Sequence, residues 1–73
     1  MNEELSEAEL ELLQKLCSIC NSKRAPYTHV ESLKGVPNYM QILRKLKSKG
    51  LVFFYKGGKV VGPTREGWKI CGY

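Results

Sequence analysis

The apolar positions near the start of the chain recur with a helical period. At about 100° per residue, Leu10, Leu12, Leu13, Leu16, Cys17, Ile19 and Cys20 share one half of a helix surface, with Glu11, Gln14, Lys15 and Ser18 opposite. Ser6-Glu7-Ala8-Glu9 marks the start as a capping box, the serine hydroxyl accepting from the Glu9 amide while the Glu9 carboxylate reaches back to the cap's own N–H. The pattern predicts a wide core-facing helix ending near Asn21. Residues 21–27 are polar, contain Pro26 and connect to the next element. Thr28-His29-Val30-Glu31 repeats the capping-box spacing, predicting a short second helix anchored by Val30 and Leu33 and closed by Gly35 in a left-handed conformation.

A third helix begins at once, with Pro37 acceptable in its first turn and Asn38 as its cap, and stops at Gly50. With Tyr39 set at 0°, Ile42, Leu43 and Leu46 fall within about 60° of it, whereas Gln41, Arg44, Lys45 and Ser48 gather on the far side. One side packs and the other is free. Beyond it the period changes: Leu51 to Tyr55 is β-branched and aromatic, and Val60-Val61 answers it across Lys56-Gly57-Gly58-Lys59. The glycine pair permits the positive φ values of a two-residue hairpin turn. Pro63 ends the second strand, and Thr64 to Ile70 forms a final helical turn capped by Thr64.

Charge sharpens this picture. The 73 residues carry a net charge of +5, but residues 1–22 hold five Glu against Lys15 (1 − 5 = −4) and the rest hold eleven Lys and Arg against Glu31 and Glu66 (11 − 2 = +9). Positive charge gathered on one helix and one hairpin is the footprint of a polyanion partner. A chain this short forms one domain, spanning 1–73, and buries only about 60% of its unfolded surface. Its longest apolar run is far below the roughly 20 residues needed to cross a bilayer, and the Glu-rich start has the wrong charge for a signal peptide; a cytoplasmic location is the expectation.

Cys17-Ser18-Ile19-Cys20 and Cys71 raise zinc, redox chemistry or a disulfide. Zinc takes four ligands and only His29 remains to complete the three cysteines, so no metal is expected. A thiolate at the last turns of a helix meets the negative end of the dipole, which argues against reactive thiols. Buried, structural cysteines are the preferred reading, with a bridge from Cys17 or Cys20 to Cys71 as the alternative.

The order helix, helix, turn, helix, hairpin, final turn resembles the winged helix-turn-helix family of small prokaryotic transcription regulators, with the helix-turn-helix over about 28–50 and the wing over about 51–62. Three segments carry the resemblance: Thr28 to Gly35; Leu43-Arg44-Lys45-Leu46-Lys47-Ser48-Lys49-Gly50-Leu51-Val52, similar to the end of that family's recognition helix; and Pro63-Thr64-Arg65-Glu66-Gly67, similar to its threonine-glycine motif after the wing. The resemblance implies an α+β fold with a three-helix core and a small three-stranded antiparallel sheet, in which a short strand near Pro26 and Tyr27 pairs with the hairpin. It also implies double-stranded DNA as partner and regulation of transcription as function.

The residues fit that expectation. The major groove admits one helix, and Arg or Lys suits guanine while Asn or Gln suits adenine, which makes Asn38, Gln41, Arg44 and Lys45 the candidate base contacts. Lys47 and Lys49 beside the helix, Lys56 and Lys59 at the wing, and Thr28 at a helix start are the candidate phosphate contacts. Phe54 is the aromatic expected outside the core, since alternation puts it opposite Phe53 and Tyr55. A homodimer would use the first helix and the C-terminal turn. No carboxylate pair, nucleophile with a base, or cofactor motif points to an enzyme. The competing readings are a winged-helix adaptor between proteins and an RNA or single-strand binder.

Overall fold

A computed structural model describes residues 5–73 of the chain; the acidic positions Glu3 and Glu4 lie outside them. The element order is α1 (Glu7–Lys23), β1 (Thr28–His29), a 3-10 turn (Val30–Leu33), α2 (Tyr39–Ser48), β2 (Val52–Tyr55), β3 (Val60–Pro63) and α3 (Arg65–Cys71). The architecture is α+β, three helices on a small antiparallel sheet. In that sheet β3 lies centrally, pairing β1 through Thr28↔Val61 and His29↔Val60, and β2 from Val52↔Pro63 to Tyr55↔Val60.

The first capping box forms as its spacing requires: Glu9 N–H donates to Ser6 Oγ at 3.2 Å, and Ser6 N–H donates to Glu9 Oε1 at 2.9 Å. α1 runs two residues past Asn21 to Lys23, and Arg24 ends it in a left-handed conformation at φ 54°. Its buried face, Leu12, Leu13, Leu16, Cys17 and Cys20, meets Leu43 and Leu46 of α2 and Val52 and Val61 of the sheet in one core closed by Leu33 and Leu51.

The second capping box does not form. Thr28 is in a strand, paired with Val61, so its backbone is committed to the sheet before the helical turn begins. His29 takes the cap position and makes no side-chain cap bond, and the expected second helix shrinks to the 3-10 turn. Gly35 is not among the glycines with positive φ. The strand foreseen near Pro26 and Tyr27 lies two residues further on. At the hairpin tip Gly57 and Gly58 do adopt φ 68° and 88°, and the Lys59 N–H points to the Lys56 carbonyl at 3.4 Å. Lys56 is also left-handed, at φ 52°, so regular pairing stops at Tyr55↔Val60.

The cysteines divide. Cys17 and Cys71, 54 positions apart with Cα atoms 6.6 Å from each other, form a disulfide between α1 and α3. This is the alternative of a bridge to Cys71, made by Cys17 and not Cys20, and it replaces the preferred reading of unbridged buried cysteines, because folding α3 back onto α1 brings the pair within bridging reach. Cys20 stays free and buried, and burial pushes its thiol pKa up, which keeps it protonated and unreactive at neutral pH.

Candidate nucleic-acid interface

α2 separates its faces as an amphipathic helix must. Leu43 and Leu46 are fully buried and Tyr39, Met40 and Ile42 pack partly against the core, while Gln41, Arg44, Lys45, Lys47 and Ser48 are exposed. Gln41, Arg44, Lys45 and Ser48 follow the i, i+3, i+4, i+7 spacing of a single stripe. At 1.5 Å per residue that stripe is about 10 Å long, the length of roughly three base steps. Asn38 is exposed at its N-terminal end, in a left-handed conformation at φ 59°, with no side-chain cap bond.

The other end of α2 is held by two fixtures. Lys49 turns back and its Nζ sits 2.9 Å from Glu9 Oε1, an ion pair whose carboxylate side is only 8% exposed. The Lys49 ammonium, followed by the Ser6 N–H, holds the Glu9 pKa below its ordinary value against the opposing effect of burial. The second fixture is the Thr64 hydroxyl, which donates to the Gly50 carbonyl at 2.7 Å and accepts from the Gly67 N–H at 3.2 Å. The Thr64 N–H adds a bond to the Leu51 carbonyl at 3.0 Å. A Cβ at Gly67 would collide with that same Leu51 carbonyl oxygen, so the glycine is what lets α3 sit against the exit of α2.

Two of the candidate phosphate contacts are engaged elsewhere. Lys49 is spent on Glu9, because the C-cap position that follows the helix turns inward over α1. Thr28 is 4% exposed, accepts from Lys23 Nζ at 3.1 Å and shares a hydrogen with the Ser32 hydroxyl at 3.2 Å, leaving nothing to offer a phosphate. Lys47, Lys56 and Lys59 remain exposed. Sequence spacing could not separate Lys47 from Lys49, since the partner of Lys49 lies 40 positions away.

Between α2 and the hairpin lies an open cleft of about 520 Å³ lined by Arg44, Lys47, Ser48 and Phe54. Phe54 forms its apolar wall and packs partly on the core. The expectation for the aromatics is therefore reversed. Val61, opposite Phe54, faces the core, which sends Phe53 and Tyr55 to the outer side of the sheet.

No group of three or more metal-ligating side chains occurs among the described residues, and no helix among them is long and apolar enough to cross a membrane. The exposed apolar side chains at the C-terminus are Ile70 and Tyr73, the latter ring 5.4 Å from that of Trp68. Compared with known proteins, the chain matches no family model, no curated protein and no solved structure.

Proposed function

We propose that the chain is a winged helix-turn-helix protein that binds double-stranded DNA by sequence and regulates transcription. α2 lies in the major groove, and the β2–β3 hairpin is the wing. The observation that carries the reading is the exposed stripe Gln41, Arg44, Lys45 and Ser48 on a helix whose other side is locked into the core. A helix offers base edges the right groups only if its polar side is both free and rigidly aimed, and the fixtures at Lys49 and Thr64 supply the aim. Asn38, Gln41, Arg44 and Lys45 read bases; Lys47 flanks the groove and Lys56 and Lys59 reach the backbone from the wing.

Selection from a random duplex library tests it. A consensus of roughly three to four adjacent positions per half-site is expected, and Gln41→Ala, Arg44→Ala and Lys45→Ala should each relax preference at one position by about 1–3 kcal/mol. A bound pool with no consensus, equally retained by all three variants, would contradict sequence reading. Palindromic half-sites would point to a two-fold dimer, for which Ile70 and Tyr73 at the C-terminus are exposed.

A further inference from the structure

The sheet has two faces, and the helices cover only one. Residues opposite each other across an antiparallel pair share a face. Phe54, Val61 and Thr28 are opposite one another and point inward, two of them buried and Phe54 packed on the core. Tyr55, Val60 and His29 therefore share the outer face, as do Phe53 and Gly62. Tyr27 joins them: a Cβ at Gly62 would collide with the Pro26 carbonyl oxygen and stand 3.1 Å from the Tyr27 Cα and 2.9 Å from the Phe53 ring. The absence of a side chain at Gly62 is what lets the backbone of Pro26 and Tyr27 and the ring of Phe53 lie over it.

Val60 is buried and Tyr27 and Phe53 are half-buried, so the open part of this aromatic surface is centred on Tyr55. The Tyr27 and Tyr55 rings lie 5.9 Å apart at 35°, and Tyr55 is 55% exposed. Lys56 follows Tyr55 and Lys59 precedes its partner Val60, so two exposed lysines stand next to this pair along the chain. Residues 24–30 and 52–63 contain no Asp or Glu, and Glu31 stands at the rim beside His29 and Lys59.

Aromatic rings beside cations suit an occupant that is anionic and carries flat faces of its own. Unpaired nucleotides satisfy both conditions, their bases stacking on rings and their phosphates meeting lysines. A second copy of the chain does not, because two-fold pairing of this face would set its lysines against themselves. We propose that the outer face of the sheet, centred on Tyr55 and Tyr27 with Lys56 and Lys59, binds an unpaired DNA strand running off the duplex that α2 reads. The inference rests on the duplex-binding reading: the same two lysines hold the backbone as it leaves the groove, and the next bases stack behind them.

Affinity for a blunt duplex and for the same duplex with a six-thymidine 3′ or 5′ tail provides the test, with wild type, Tyr55→Ala and Tyr55→Phe measured side by side. One of the two tails should tighten binding at least roughly fivefold, the lower end of what one stacked base contributes. Tyr55→Ala should abolish that gain with blunt-duplex affinity unchanged, and Tyr55→Phe should keep it. An exposed ring can be truncated without unfolding the domain, and a melting curve of each variant checks this. Equal affinity for blunt and tailed duplexes, or a gain that survives Tyr55→Ala, would overturn the proposal. So would a dimer in sedimentation without DNA that Tyr55→Ala dissociates, which would assign the face to a second copy. Failure to bind even the blunt duplex would instead defeat the reading beneath it.

Discussion

The two ends of α2 are built differently. At its C-terminal end, Lys49 is paired with a buried carboxylate, Thr64 bonds the carbonyl of Gly50, and Gly67 lies flush against Leu51. At its N-terminal end, Asn38 is exposed and left-handed, and its side chain caps nothing. The difference teaches how a small domain divides its polar residues: those at one end are consumed in fixing the helix, and those along the outward stripe and at the other end stay available. Residue type does not tell the two groups apart. Lys47 and Lys49 are neighbours of the same type, and the direction in which the helix turns them assigns their duties.

The docked end is most sensitive at Gly67. Replacing it with alanine drives a Cβ into a backbone carbonyl that cannot rotate away, and a loss of about 3 kcal/mol is expected by chemical denaturation. Thr64→Val keeps the shape but removes the hydroxyl that serves both the Gly50 carbonyl and the Gly67 amide, for a loss of about 1.5 kcal/mol.

The two lysines should respond differently to the same substitution. Lys49→Met should cost about 1–2 kcal/mol, since it strands the Glu9 carboxylate in a mostly buried position, discounted for the part of the lysine that water still reaches. Lys47→Met should change stability by under about 0.5 kcal/mol and reduce the salt dependence of DNA binding by about 0.9 in log-log slope. The pH profile separates the pair further. The pKa of Glu9 is lower in the folded chain than in the unfolded one, so its contribution to stability is complete above the ordinary value of 4.5 and is lost as the pH falls through the lower folded value. Glu9→Gln or Lys49→Met should flatten that acid limb in a denaturation series, and Lys47→Met should leave it intact. The smallest effect belongs to the open end. Asn38→Gly suits the positive φ and should shift stability by only a few tenths of a kcal/mol, while relaxing base preference at the edge of the selected site.

Much of this was legible in the sequence because its causes are local. The Ser6 box, the split faces of α2, the positive φ at Gly57 and Gly58 and the Thr64 cap each depend on residues within a turn or two of one another. The errors share the opposite cause. Thr28 has the spacing of a cap, but pairing with Val61, 33 positions on, claims it for the sheet. Lys49 looks like Lys47 until Glu9 is brought beside it, and Cys17 finds Cys71 only when α3 folds back. Phe54 illustrates a subtler limit, since alternation correctly separated it from Phe53 and Tyr55 but could not say which side faced the helices. Only the docking of the sheet on the core decides that.

The most direct test of the central claim is a fluorescence anisotropy titration of duplex DNA across a series of salt concentrations, with wild type beside the Lys56→Ala, Lys59→Ala double variant. With Lys47, Lys56 and Lys59 neutralising phosphates, the wild-type affinity should fall with a log-log slope of about −2.7 or steeper, and the double variant should lose about 1.8 of it. No binding at low salt, or a slope that the double variant leaves unchanged, would contradict the assignment of this surface to DNA.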